Sequence, residues 1–249
     1  MDYSLTTRLA AEFLGTALLV MLGNGAVANV DLRGTKGYGS DWMLIAVGYG
    51  GRDQEKVKAK LAESAAKGKK VPSKTPINYP CSVNSLVRSE RIQVVGQKTK
   101  GEAEFILVLK EGQIYIGVGS DHTDSELTSV STNKAKQACP KPMGPVLWPY
   151  EEVKDHWDQL KLLSWQRVGE VETLYQEGFL AQIMKVEDIL KVVAEDYPTL
   201  QNGIIFGGTV GVSGDAVYGD YFRCELEDSV LGRKLSHQYT IEVLSEGKE

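Results

Sequence analysis

Cysteine is scarce in this 249-residue chain: Cys81, Cys139 and Cys224 are the whole set, and they lie far apart. An odd, widely spaced set gives neither a disulfide framework nor a CxxC zinc pattern, and it fits a reducing compartment. Cys139 precedes Pro140 and has no visible triad, so it reads as a small buried residue rather than a nucleophile. Excess positive charge is also missing. The formal net charge is −5, which disfavours nucleic acid as a partner. The short run Lys67-Gly68-Lys69-Lys70 reads as the solvated end of a helix. No Gly-rich loop carries the Lys-Ser or Lys-Thr that holds phosphate and magnesium; Gly207-Gly208-Thr209 with Gly211 and Gly214 lacks it. Internal repeats and low-complexity tracts are absent.

Long hydrophobic runs are nearly absent too. Residues 9–30 carry Glu12 as their only charge and reach the roughly 20 residues needed to cross a bilayer. A second run, 42–50, is too short and stops at Gly51-Arg52-Asp53. The first fifty residues therefore read as one segment with a hydrophobic helix, and 51–249 as the body. Arg8 alone precedes the long run, whereas Arg33, Lys36, Lys56, Lys58 and Lys60 follow it. The positive-inside rule then predicts a cytoplasmic body tethered to the membrane through 9–30. The bland alternative is a buried or interfacial helix. A thin basic n-region and no clear cleavage site argue against a signal peptide.

Within the body, 52–67 reads as a charged, exposed helix with Val57, Leu61 and Ala65 on one face. Residues 72–80 read as loop, and 91–96 as a short strand. The stretches 128–137 and 149–158 read as helical, and 185–196 as the clearest amphipathic helix. Further strands are expected at 159–167, 171–175, 203–206, 222–227 and 237–244. Strands outnumber helices without regular alternation, so the fold class is α+β.

The most informative stretch runs from Gly101 to Asp124. Glu102 and Glu104 are one residue apart in an otherwise apolar strand, so both point to one face. A two-residue turn at Glu111-Gly112 would pair Lys110 with Gln113 and, counting outward, put Glu102 opposite Asp121, whereas a bulge would shift the pairing by one. Three carboxylates would then converge, and like charges gather only with a cation or a proton between them. An all-oxygen set selects a hard ion, Mg²⁺, Mn²⁺ or Ca²⁺. Asp124 and Glu126 read as turn residues, and His156 and His237 as structural histidines.

Two resemblances add to this. Ala10-Ala11-Glu12-Phe13-Leu14-Gly15-Thr16-Ala17-Leu18-Leu19-Val20 and Gly23-Asn24-Gly25-Ala26 resemble the first membrane helix of the aquaporin and glycerol-facilitator family. Neither of that family's Asn-Pro-Ala motifs occurs here, so a fragment of a glycerol or water channel is the weaker alternative for the chain. A chimera, a channel-like piece joined in frame to a separate body, is the leading reading of the seam near residue 50.

The body resembles the fumarylacetoacetate hydrolase superfamily over about 70–245, through its Glu-x-Glu strand, Asp-x-Thr turn, Lys before Cys-Pro and late Gly-Thr turn. It is similar still more closely to the domain of unknown function 2848 family. That likeness rests on Gly51-Arg52-Asp53, Gly119-Ser120-Asp121-His122-Thr123-Asp124, Lys136-Gln137-Ala138-Cys139-Pro140-Lys141-Pro142, Asp155-His156-Trp157-Asp158 and Leu174-Tyr175-Gln176-Glu177-Gly178.

The superfamily resemblance implies a mixed β-roll or sandwich, Mg²⁺ (or Mn²⁺ or Ca²⁺) on Glu102, Glu104 and Asp121, and a homodimer. It implies Lys136 facing the substrate, with Lys134 as competitor, and Gly208 and Thr209 cradling a substrate carboxylate. The reaction implied is hydrolytic or lyase chemistry on a small 2-oxo or 1,3-dicarbonyl acid. The superfamily's lid histidine has no counterpart after Asn78-Tyr79, which leaves His122 as the candidate base. Gln176 is left as a pocket residue or a helix cap. The rival to an enzyme is a non-catalytic small-acid-binding protein of the same fold.

Overall fold

The apolar run Met43-Leu44-Ile45-Ala46-Val47-Gly48 is strand β1 (Met43–Gly48), and it lies inside a sheet with partners on both sides. Continuous apolar sequence suits such a position, because both faces of the strand are covered. The computed structural model describes residues 6, 12–14, 42–68, 70–213, 218–245 and 247. By internal contacts the chain divides into Met1–Trp42 and Met43–Glu249. The second unit thus includes β1, which the sequence reading had put with the N-terminal segment. Of the expected hydrophobic helix at 9–30 only 12–14, which are helical, are among the described residues; the rest lies outside them. Among the described residues no helix is long and apolar enough to cross a membrane.

After β1 come helix α1 (Gln54–Ala66), β2 (Ile77–Cys81), β3 (Leu86–Val87), β4 (Arg91–Val95) and β5 (Thr99–Lys100). A long hairpin follows, β6 (Ala103–Lys110) and β7 (Gln113–Ser120), then β8 (Thr123–Asp124), α2 (Thr132–Gln137), β9 (Lys141–Pro142) and β10 (Trp148–Pro149). The last elements are β11 (Lys161–Val168), β12 (Val171–Phe179), α3 (Val186–Asp196), β13 (Gly203–Phe206), β14 (Tyr221–Asp228) and β15 (Arg233–Leu244). One mixed sheet runs β10-β7-β6-β13-β1-β2, and a second runs β12-β11-β14-β15-β4. The two share one core: Phe105, Leu107, Ile116 and Val118 from the first, Leu162, Tyr175, Phe222, Leu226 and Tyr239 from the second. Helix α3 adds Val186, Ile189 and Val193, spaced three and four apart on one face. This is the mixed, sheet-rich α+β fold expected.

Helix α1 buries no residue, and Asp53 caps it by accepting from the Lys56 N–H at 3.1 Å. The stretch expected as loop before residue 81 contains β2 instead. That strand is at the sheet edge, where Pro80 opposite Ile45 has no outer neighbour awaiting its missing N–H. The helical expectations at 128–137 and 149–158 become short 3₁₀ turns together with α2.

The β6–β7 hairpin fixes the site. Lys110 pairs with Gln113, and Glu111 and Gly112 adopt φ of 51° and 77°. Two consecutive positive φ values make a type I′ turn, whose twist matches the strands it joins. The register continues to Ala103 opposite Ser120, and the Asp121 N–H then donates to the Glu102 carbonyl at 2.9 Å. Glu102 and Asp121 are therefore opposed, as the sequence count predicts.

Candidate functional site

Glu102, Glu104 and Asp121 each bring a carboxylate oxygen to one spot, all within 4.8 Å of one another. Glu104 and Asp121 are buried and Glu102 is half-buried. The Gly208 N–H donates to Glu104 Oε2 at 2.8 Å. Burial, reinforced by the charge on Asp121, pushes the Glu104 carboxyl well above the usual carboxylate range. Burial also opposes ionisation of Asp121, but the ammonium groups of Lys136 and Lys141 outweigh it and hold that carboxyl low.

Helix α2 turns Lys136 inward and leaves Lys134 exposed. Lys136 Nζ donates to Asp121 Oδ2. Burial disfavours its charge, but Asp121, Glu102 and Glu104 overcome that and raise its affinity for the proton. Lys141, to which the sequence reading gave no separate role, is fully buried. Its Nζ lies 3.2 Å from Asp121 Oδ1 and donates to the carbonyls of His122 at 2.5 Å and Cys139 at 3.2 Å. Three carboxylates thus face two committed ammonium groups, which leaves one uncompensated negative charge when all are ionised.

Above the cluster opens a cavity of about 560 Å³. Glu102, Glu104 and Lys136 line it with Lys100, Thr123, Gly208 and Thr209, and Tyr49 and Tyr79 close one side. Gly208 has φ of 122°, open to glycine, and a Cβ there would come within 3.0 Å of Ile183. Tyr49, with φ of 61°, and Lys100 escaped the sequence reading. The flanking Gly48, Gly50 and Gly51 were the available signal for a loop with unusual backbone.

Two expected site residues stand elsewhere. His122 is fully buried and does not line the cavity. Its ring nitrogens meet Tyr239 Oη at 3.0 Å and Thr99 Oγ1 at 2.9 Å, and burial pushes its pKa down to about 3. A neutral ring with both nitrogens engaged holds the end of the hairpin and has no access to water. Gln176 also lies beneath the surface, where Oε1 accepts from the Ala103 N–H at 2.8 Å and from Ser164 Oγ at 2.8 Å. Its Nε2 donates to Thr209 Oγ1 at 2.5 Å and the Val210 carbonyl at 3.1 Å. It braces the glutamate strand against the Gly208-Thr209 turn. His156 contacts Asp228 at 2.9 Å, a structural role as expected.

The model of the family described as "Protein of unknown function (DUF2848)" matches residues 47–239. Among solved structures, the hexagonal form of 2-keto-3-deoxyarabinonate dehydratase superposes with a TM-score of 0.61 at 20% identity, covering 83% of this chain and 75% of that one. A complex of 2-keto-3-deoxy-D-arabinonate dehydratase with magnesium and 2,5-dioxopentanoate gives 0.59 at 20% identity, covering 82% and 74%. The 4-oxalocrotonate decarboxylase from Pseudomonas putida G7, complexed with calcium and acetate, gives 0.52 at 16%, covering 80% and 76%. These likenesses establish the fold. A separate similarity is short: the glycerol facilitator-aquaporin of Lactococcus lactis subsp. cremoris is 56% identical over 50 residues, which is 20% of this chain and 17% of that protein. A probable glycerol uptake facilitator protein of Thermotoga maritima is 58% identical over 40 residues, again 17% of its own length.

Proposed function

The chain belongs to the family described as Protein of unknown function (DUF2848), and from that premise we propose a divalent-metal-dependent enzyme, a hydrolase or lyase acting on a small 2-oxo or 1,3-dicarbonyl acid. The observation that carries the reading is the convergence of Glu102, Glu104 and Asp121 at the base of an open cavity. The residues fit a hard cation on three counts. The donors are all carboxylate oxygens. Asp121 Oδ1 has the Lys141 ammonium at 3.2 Å as its charge partner, and Glu104 is buried with its proton affinity raised, as expected of a ligand without its ion. The solved structures of this fold complexed with magnesium and 2,5-dioxopentanoate, and with calcium and acetate, support the same pairing of hard ion and small acid.

Glu102, Glu104 and Asp121 would hold Mg²⁺, with Mn²⁺ or Ca²⁺ acceptable to the same oxygens. When bound, the ion supplies Lewis-acid polarisation of the substrate's oxygen atoms. Lys136, held charged by its three acidic neighbours, adds positive charge beside an oxyanion as it develops. The Gly208-Thr209 turn bounds the place for the substrate carboxylate, and Gln176 fixes that turn relative to Ala103, between the two glutamates.

A second reading, acid binding without turnover, draws on one observation: none of the chain's three histidines lines the cavity, so no general base of that kind faces it. Thermal melting tests the shared part. Mg²⁺ at about 100 times its Kd stabilises the native state by about 2.7 kcal/mol. No rise in Tm, or an equal rise in the Glu102→Ala, Glu104→Ala double variant, refutes the metal site. Incubating 2-oxo and acylpyruvate-like acids with the Mg²⁺-loaded protein, alongside a binding assay, separates enzyme from binder.

A further inference from the structure

The cavity holds a further cation that is not committed to the carboxylate cluster. Lys100, on β5 opposite Thr123 of β8, is half-buried and lines the same cavity as Glu102, Glu104 and Lys136. Lys136 and Lys141 are both tied to Asp121. Among the described residues, the Lys100 ammonium has no ion pair and no hydrogen bond. Ser125 lines the same wall, held beside β5 by its N–H on the Lys98 carbonyl at 2.8 Å, and its Oγ likewise lacks a partner.

Charge then decides what the cavity accepts. Glu102, Glu104 and Asp121 carry three negative charges when ionised, and Lys136 and Lys141 carry two positive ones. A divalent ion brings that set to one net positive charge, which a single substrate carboxylate neutralises. Lys100 adds a positive charge on the wall that a monocarboxylic acid leaves unmatched. We infer that Lys100 is a specificity residue for a second carboxylate, and that the acid taken by this site is a 2-oxo dicarboxylate. The inference rests on the metal-and-acid reading of the cavity. The partial exposure of Lys100 assigns it the far end of the substrate, while the 2-oxo acid end lies at the buried cluster.

The test compares two acids of equal chain length, 2-oxoglutarate and 2-oxopentanoate, which differ in the second carboxylate. Calorimetry measures both against the full-length protein, Lys100→Met and Lys100→Arg, with Mg²⁺ present, and Tm follows Mg²⁺ separately. Wild type is expected to prefer 2-oxoglutarate by about tenfold or more, the usual worth of a hydrogen bond to a charged group. Lys100→Met should lose the preference with 2-oxopentanoate affinity unchanged, and Lys100→Arg should keep it. Binding of neither acid, equal binding of both by wild type, or a preference that survives Lys100→Met overturns the inference, and a Mg²⁺-dependent rise in Tm then leaves the metal reading standing. If Mg²⁺ leaves Tm unmoved, the metal reading fails separately. The role of Lys100 is then upheld by a dicarboxylate preference that Lys100→Met abolishes, and refuted without one.

Discussion

Gln176 shows how much of a site can depend on a residue that never faces its cavity. Its amide satisfies the Ala103 N–H, Ser164 Oγ, Thr209 Oγ1 and the Val210 carbonyl at once. A buried backbone group left without a partner costs about 1–3 kcal/mol. Gln176→Leu strips the partner of the buried Ala103 N–H, so urea unfolding should show a loss of about 1–3 kcal/mol. Because Ala103 lies between Glu102 and Glu104, the Mg²⁺-dependent rise in Tm should shrink in the same variant. In the sequence Gln176 sits within a run of family-like residues and its place stays open, since an amide has no spacing rule that separates a brace from a ligand. His122 was misplaced for a related reason. Its neighbour Asp121 points to the cluster, but alternation along the chain sends the His122 side chain the other way, toward Tyr239 and Thr99.

Among the elements, the β6–β7 hairpin was legible because its information is local. A two-residue turn and a period of two fix the register, and the register fixes which carboxylates meet. The β14–β15 connection was legible only in part: Leu231 and Arg233 lie close to Asp228 in the chain, but His156 comes from 72 residues away. Asp228 Oδ1 accepts from the Leu231 N–H at 3.1 Å and meets His156 Nε2 at 2.9 Å, while Arg233 Nε donates to Oδ2 at 3.2 Å. Burial works against ionisation of Asp228, but the Leu231 N–H, His156 and Arg233 outweigh it and hold the carboxyl below its ordinary value. A depressed carboxyl gives stability that is present above the unfolded value, about 3.9, and is lost as pH falls through the folded value. Asp228→Asn should therefore cost about 1–2 kcal/mol near neutral pH, since Arg233 is partly exposed and keeps Glu152 as a partner. Unfolding curves taken below pH about 4 should show the gap between variant and wild type narrowing.

At the scale of the whole molecule, the boundary between the two units tests what β1 contributes. The strand is bonded to β13 on one side and β2 on the other, and Leu44, Ile45, Ala46 and Val47 are buried. A protein starting at Met43 should fold and keep its Mg²⁺ response. One starting at Gly51 lacks the strand that joins β13 to β2 and should show no cooperative melting transition, measured by circular dichroism. Sequence by itself determined the strand-rich α+β class, the hairpin register and the convergence of Glu102, Glu104 and Asp121. Each follows from spacing along the chain and from the cost of gathering like charges. Tertiary structure alone decided that β1 belongs to the sheet, that Lys136 rather than Lys134 reaches Asp121, that Lys141 is buried beneath it, and that His122 is sealed away. Those outcomes depend on which distant surfaces pack together, and periodicity within one segment does not specify its neighbours.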